Sequence, residues 1–262
     1  MVREGICIVG TGKVAQALIR NLKDKLPLCI TSPSNNRAKD IALKMGIKHV
    51  PYGKPLPCKK VIIVRKDMDI ERTSMEIINF SPHTTEHIHM SGFHPSTILK
   101  SPKRCSIHPI ISITPETSFN NVLFSVEGTI EIGLDIIKQL GGTYFVIDTD
   151  KKPIYHTALV FISNFTALNT LLGIQLLKEI ANIPEDKCDN IIKLAYKSID
   201  NVLKYRENGL TGPAARGDKL IVEMEASILD EPLKSLHKIQ SDVIYKLCVG
   251  SERDEKDDSA KI

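Results

Sequence analysis

Near its start the chain carries the apolar run Gly5-Ile-Cys-Ile-Val9, then Gly10-Thr11-Gly12, then Lys13–Leu22, whose apolar residues recur at helical spacing. A strand that turns on glycines into a helix is the first half of a βαβ unit, and no other stretch constrains the fold as strongly. Gly10 permits the tight turn, Gly12 lets a ligand approach the backbone, and Ala15 keeps helix and strand close. The helix N-terminus then presents unsatisfied N–H groups and a partial positive charge suited to phosphate. Thr11, Lys13 and Val14 belong to the same turn, so Gly10–Ala15 is the candidate pyrophosphate site of a dinucleotide.

The end of the second predicted strand bears on which dinucleotide. Sites for NAD usually place Asp or Glu there to bind the ribose 2′-hydroxyl. This chain runs Thr31-Ser32-Pro33-Ser34-Asn35-Asn36-Arg37. No carboxylate stands there to repel a 2′-phosphate, and Ser32, Asn35 and Arg37 could bind one. The expectation is NADP(H). Ser34 or Asn35 could also cap the next helix.

Up to about residue 150, short apolar runs alternate with helical patterns, as in a mostly parallel sheet. Predicted strands are Gly5–Val9, Leu28–Thr31, Lys60–Val64, His87–Met90, Cys105–His108, Val122–Val126 and Thr143–Ile147. Predicted helices are Lys13–Leu22, Arg37–Met45 and Ile130–Leu140. After Pro153 the texture changes. Ile154–Ala181 reads as a helix buried on most of its circumference, in a bundle or against a second subunit. Lys187–Arg206, Asp218–Leu229 and Pro232–Val249 are also helical in pattern. The expected architecture is α/β: a nucleotide-binding domain over 1–150, an all-helical domain over 151–250, and a charged, disordered tail over 251–262.

Composition narrows the classes. The formal net charge of +4, without a basic arm and without tryptophan, does not suit a nucleic-acid binder. The cysteines are scattered with no CxxC pair, so they read as reduced core thiols of a cytoplasmic protein. No apolar run is read as approaching the roughly 20 residues a membrane span needs.

Histidine is concentrated: His83, His87, His89, His94, His108 and His156 lie between residues 83 and 156. Their spacing matches no standard zinc pattern, so no metal is expected. His89 and His108 stand at the C-terminal ends of predicted strands, where open parallel sheets bind ligands. His156, Val160 and Asn164 are four residues apart and share one face of the long helix. Leu210-Thr-Gly-Pro-Ala-Ala-Arg-Gly-Asp218 is a dense loop in which Asp218 could cap the next helix and Arg216 could be a surface charge.

Taken together, Gly10-Thr-Gly-Lys-Val-Ala15, His89-Met-Ser-Gly92, Ile107-His-Pro109, Tyr155-His-Thr-Ala158 with Asn164, and Leu210–Asp218 resemble the Rossmann-like NADP-dependent oxidoreductase family. The C-terminal domain of that family is similar to that of 6-phosphogluconate dehydrogenase. The resemblance implies NADP bound on the first domain, a small-molecule substrate closed between the domains, and a homodimer formed through the helical domain. Some relatives carry Lys four residues before the helix Asn; here that position is Val160, and His156 lies a further turn back. Where relatives have apolar-Pro-Asp after the fourth strand, this chain has Val64-Arg-Lys-Asp67, with Val64 among the candidate cofactor contacts. The function implied is hydride transfer to or from a small carbonyl, imine or hydroxy acid. His156 or His108 would be the acid–base group, and Ser91 and Asn164 would orient substrate. The alternatives are a non-catalytic NADP-binding regulator and a methyltransferase using S-adenosylmethionine.

Overall fold

The computed structural model describes residues 5–250, which form two compact units, the first ending at Thr166 and the second beginning at Ala167. The first unit thus runs past residue 150 to include the start of the long helix. The tail over 251–262 lies outside the described residues.

The first unit holds one eight-stranded sheet: β1 (Ile6–Val9), β2 (Leu28–Thr31), β3 (Lys48–His49), β4 (Lys60–Ile63), β5 (Glu86–His89), β6 (Lys103–Pro109), β7 (Leu123–Gly128) and β8 (Thr143–Val146). The strand order is β3-β2-β1-β4-β5-β6-β7-β8. Neighbours are parallel except β6 and β7, which are antiparallel. The exception has a local cause: residues 110–122 contain no crossover helix, and a parallel return needs one. Helices α1 (Lys13–Leu22), α2 (Asn35–Met45), α3 (Ile70–Phe80), α4 (Ile130–Leu140) and α5 (Lys152–Val160) complete the unit.

The central strands are apolar on both faces because both faces are covered. Ile6 and Ile8 of β1 point into a layer with Leu18 and Leu22 of α1, Ile41 of α2 and Ile136 and Leu140 of α4. Cys7 and Val9 point the other way, into a layer with Val61, Ile63 and Ile70 and Ile77 of α3. Helix α3 is absent from the sequence expectation. Its buried stripe is Ile70, Thr73, Ser74 and Ile77, and two hydroxyl residues in four blur the apolar period. Strand β3 has two residues, too few to show alternation.

The second unit is helical: α6 (Thr166–Glu179), α7 (Glu185–Ile191), α8 (Lys193–Tyr205), α9 (Pro213–Arg216), α10 (Lys219–Ser227) and α11 (Leu233–Tyr245), ending in the π-helical turn Lys246–Gly250. The helix expected over Lys187–Arg206 divides at Ile192. In the Leu210–Asp218 loop, Arg216 Nε meets Asp218 Oδ2 at 3.2 Å, and the Asp218 carboxylate does not cap α10. Among the described residues of this unit the buried hydrophobics are Cys188 and Ala226, while Leu171, Leu194, Leu203 and Ile239 are exposed.

The run Thr149–Glu179 is helical and, by length and composition, apolar enough to cross a membrane, with none of its most apolar window buried. One expectation is thereby corrected: an apolar stretch of membrane length exists. Of the two environments expected for the helix, burial in a bundle of the single chain is not found among the described residues. Ser163, Asn164, Thr166 and Asn169 interrupt the run residue by residue while leaving its mean hydropathy high.

Candidate active site

The C-terminal edge of the parallel strands carries the Gly10–Ala15 turn. Gly10 has φ of +143°, and a side chain there would strike the Val64 carbonyl oxygen at the tip of β4. Only glycine tolerates both conditions. The close approach is fixed by Val64 N–H donating to Val9 O at 3.0 Å. Gly12 is different: its φ is an ordinary −75° and nothing lies within 4 Å of where a Cβ would stand. The fold leaves room above this position, as a phosphate lying against the backbone requires. No side chain caps α1, and its first turn holds no acidic residue. Ala15 is fully buried, Val14 packs on the core, and Lys13 is exposed beside the turn. These residues fit a dinucleotide pyrophosphate.

At the tip of β2, Ser32 is buried and its Oγ accepts the Ser34 N–H at 3.3 Å. Asn35 Oδ1 accepts the Tyr52 N–H at 2.8 Å, so this side chain braces the loop after β3 and caps nothing. Arg37 is exposed. The positive charge following Val64 is partly neutralised, because Arg65 and Arg72 both pair with Asp69, at 3.3 and 2.7 Å.

Along the same edge, the tips of β5 and β6 meet α5. A cavity of about 340 Å³ is lined by His108, Ile111 and Ser112 on one side and by His156, Val160 and Asn164 on the other. The helix changes to π form over Phe161–Phe165, and Asn164 still reaches the same cavity as His156. A larger groove of about 840 Å³ lies at the opposite, N-terminal edge, lined by Lys25, Lys60, Glu86 and Asp135 among others. Open parallel sheets bind ligands at the C-terminal edge, so the smaller cavity is the candidate site.

The histidines divide by role. His89 is buried with both ring nitrogens engaged: Nδ1 accepts the Ser91 N–H at 3.1 Å and Nε2 donates to Pro95 O at 3.2 Å. Burial, with Lys152 nearby, pushes its pKa down to about 3. It fixes the loop after β5 and does not line the cavity. His108 pairs through Nδ1 with the Tyr155 hydroxyl at 2.8 Å, and burial beside Lys152 and His156 lowers it to about 4. His108 is therefore neutral near pH 7. Its Nε2 faces Gly92, where a Cβ would stand 2.9 Å from it and would also strike the His156 ring. Glycine at 92 is what lets the two imidazoles converge, with ring centroids 5.9 Å apart.

Ser91 sits beneath this pair. Its Oγ accepts the N–H groups of Phe93 and His94 at 3.2 and 3.1 Å, so it shapes the loop. Of the four candidate catalytic residues, His108, His156 and Asn164 share the cavity, and Ser91 does not line it.

Sequence reasoning missed Lys152. It is fully buried at the start of α5, donating to Ser106 Oγ at 2.8 Å and to Ser91 O at 3.2 Å. Burial lowers its pKa to about 8, with Glu127 opposing. The Glu127 carboxylate accepts from Ser96 N–H, Ser96 Oγ and Thr149 Oγ1 at 2.6, 2.8 and 2.8 Å. A lysine opening an apolar helix reads as solvated; the available signal was its place four residues before His156.

Residues 122–244 match the family described as Domain of unknown function (DUF2520). None of the curated proteins compared with the chain matches it. Among solved structures, a Bacteroides fragilis protein named "putative NADP oxidoreductase" is similar at TM-score 0.79 and 21% identity, over 93% of this chain and 98% of that one. A Thermotoga maritima protein is similar at TM-score 0.67 and 28% identity, over 95% and 99%. An imine reductase from Myxococcus stipitatus, solved with NADP+, is similar at TM-score 0.65 and 14% identity, over 95% and 94%. The resemblance carried by the motifs therefore holds: residues 122–244 match the DUF2520 family, and the chain shares its Rossmann-type fold with these solved structures.

Proposed function

We propose that the chain is an NADP(H)-dependent oxidoreductase acting on a small carbonyl, imine or hydroxy acid. The observation that carries this reading is the placement of two features on one sheet edge: a glycine turn open for a pyrophosphate, and a cavity lined by two imidazoles and an amide. The NADP+ held by the imine reductase of this fold supports the choice of cofactor and of substrate class. The carboxylate-free segment Thr31–Arg37, with Arg37 exposed, supports NADP over NAD.

When bound, the nicotinamide supplies or takes the hydride; the protein must position the substrate and move one proton. His156, with its ring against His108 and Phe93 in the cavity wall, is the acid–base group. The Tyr155 hydroxyl fixes the His108 ring through Nδ1. The Asn164 amide, at the other end of the cavity, orients the substrate's polar atom. Ser91, His89 and Lys152 act on this site through the loop that carries Gly92.

We further infer a homodimer formed through the helical unit. With Cys188 and Ala226 as the buried hydrophobics described in it, that unit has too little core to offset its chain entropy alone. Exposed apolar area on this scale marks an interface.

Titration with NADPH and NADH, followed by a screen of small oxo acids and cyclic imines for NADPH consumption, tests the function. Tight NADPH binding with turnover supports it. Absence of NADPH binding refutes it, and binding without turnover on any substrate would leave the regulator in its place.

A further inference from the structure

The wall of the candidate cavity changes character along the long helix. His156 stands at one end of the helical side and Asn164 eight residues further on, a rise of roughly 12 Å along a helix axis. Leu159 and Val160 lie between them. The strand side supplies His108 and then Pro109, Ile110 and Ile111. With Ile162, most of the wall is therefore apolar, and Ile111 and Ile162 are exposed to solvent. Exposed apolar residues gathered around a cavity mark a ligand that covers them.

The polar groups of the wall are few, and they differ in what they can offer. His108 Nδ1 is taken by the Tyr155 hydroxyl at 2.8 Å. Ser163 Oγ lies 2.7 Å from Leu159 O and 2.9 Å from Asn164 Oδ1, so its proton is used within the helix. With its oxygen held by Ser163, Asn164 keeps the Nδ2 protons and meets a ligand as a donor. Among the described residues of the wall there is no Lys, Arg, Asp or Glu. A carboxylate lying against Ile110, Ile111 and Val160 would lose its water and gain no counter-charge, the costliest way to bury a polar group. A neutral carbonyl oxygen gives up less water and satisfies Asn164.

We propose that the substrate is an uncharged, elongated molecule: its carbonyl or imine at His156, an apolar body along Val160 and Ile111, and a second, neutral acceptor at Asn164. This rests on the oxidoreductase reading above and narrows it, since hydroxy acids and oxo acids then fall outside the substrate class. An apolar cavity of about 150 Å³ accommodates benzene. The cavity of about 340 Å³ therefore takes one ring with a substituent at each end. The apolar middle contributes affinity in proportion to the area it covers, and the two polar ends set the orientation.

The test uses three ketones that share one body: benzylacetone, its para-carboxylate, and the methyl ester of that carboxylate. Isothermal titration calorimetry on the full chain saturated with NADP+ reads binding without turnover, because NADP+ cannot reduce a ketone. The ester should bind at least about tenfold more tightly than the carboxylate. Asn164→Ala should weaken the ester about fivefold and leave benzylacetone unchanged, and Ile111→Arg should reverse the order of ester and carboxylate. If a variant does not fold, the wild-type order decides. Carboxylate binding as tight as the ester, equal losses of ester and benzylacetone in Asn164→Ala, or no binding of any of the three to a chain that holds NADP+ would overturn the proposal and leave the cofactor reading intact. A chain that does not bind NADP+ refutes the oxidoreductase reading instead, and the same titrations on the cofactor-free protein then decide this proposal.

Discussion

Replacing Lys152 by methionine should make the protein's stability less dependent on alkaline pH. Burial holds the Lys152 pKa at about 8, against an ordinary value of 10.5. The unfolded chain therefore binds more protons than the folded one between those values, and the folded state gains stability as pH rises through that window. Below about 8 both states are protonated and the cost of burying the charge is constant, equivalent to about 3 kcal/mol. Lys152→Met removes that cost but also removes the hydrogen bonds to Ser106 Oγ and Ser91 O, which contribute about 1 kcal/mol each. Ser91 O keeps the Ser106 hydroxyl as a partner. At neutral pH the variant should thus equal the wild type or exceed it by about 1 kcal/mol. From there to pH 10.5 the wild type should gain about 3 kcal/mol on the variant. Urea unfolding of both proteins across this range, at one protomer concentration, measures the difference and cancels the titrations they share. Parallel curves would refute the burial argument, as would a loss above about 3 kcal/mol at neutral pH, which would mean that the ammonium is well paired.

Gly12→Ala should leave thermal unfolding unchanged and lower NADPH affinity at least about tenfold, since its Cβ meets nothing in the fold. Gly10→Ala should destabilise by roughly 1–3 kcal/mol; unaltered NADPH binding by Gly12→Ala would remove the turn from the cofactor site. His156→Ala should abolish turnover with NADPH affinity intact, and unchanged turnover would exclude His156 from the mechanism. Arg37→Glu should weaken NADPH about tenfold or more without weakening NADH, measured by fluorescence titration; equal losses would refute its part in selection. Light scattering should find two chains per particle, and a stable monomer at micromolar concentration would refute pairing through the helical unit.

Much of the fold was legible locally. Seven of the eight strands, β1, β2 and β4 to β8, lie within a residue or two of the runs that announce them. For the central strands the reason is that a strand covered on both faces is apolar throughout. Helix α3 escaped because Thr73 and Ser74 fill positions that an apolar residue usually marks. In their place Ser74 Oγ meets His87 Nδ1 at 2.8 Å and accepts the Lys100 N–H at 2.9 Å, contacts that only the packed layers create. The candidate site was legible where chemistry is local: Gly10, Gly12, His108, His156 and Asn164 all lie on the edge or cavity that the strand ends predict. It was not legible where function depends on who meets whom. Ser91 and His89 read as cleft residues and instead bond the backbone around Gly92.

The sequence by itself determined the α/β order, the glycine turn and the absence of an acid after β2, because backbone conformation and charge at those positions depend on the residues themselves. Tertiary structure decided the rest: the antiparallel turn of β7, the burial of Lys152, the convergence of His108 and His156, and the exposed helical faces. Each is a contact between residues distant along the chain, and their free energies come from burial and pairing that the chain order does not specify.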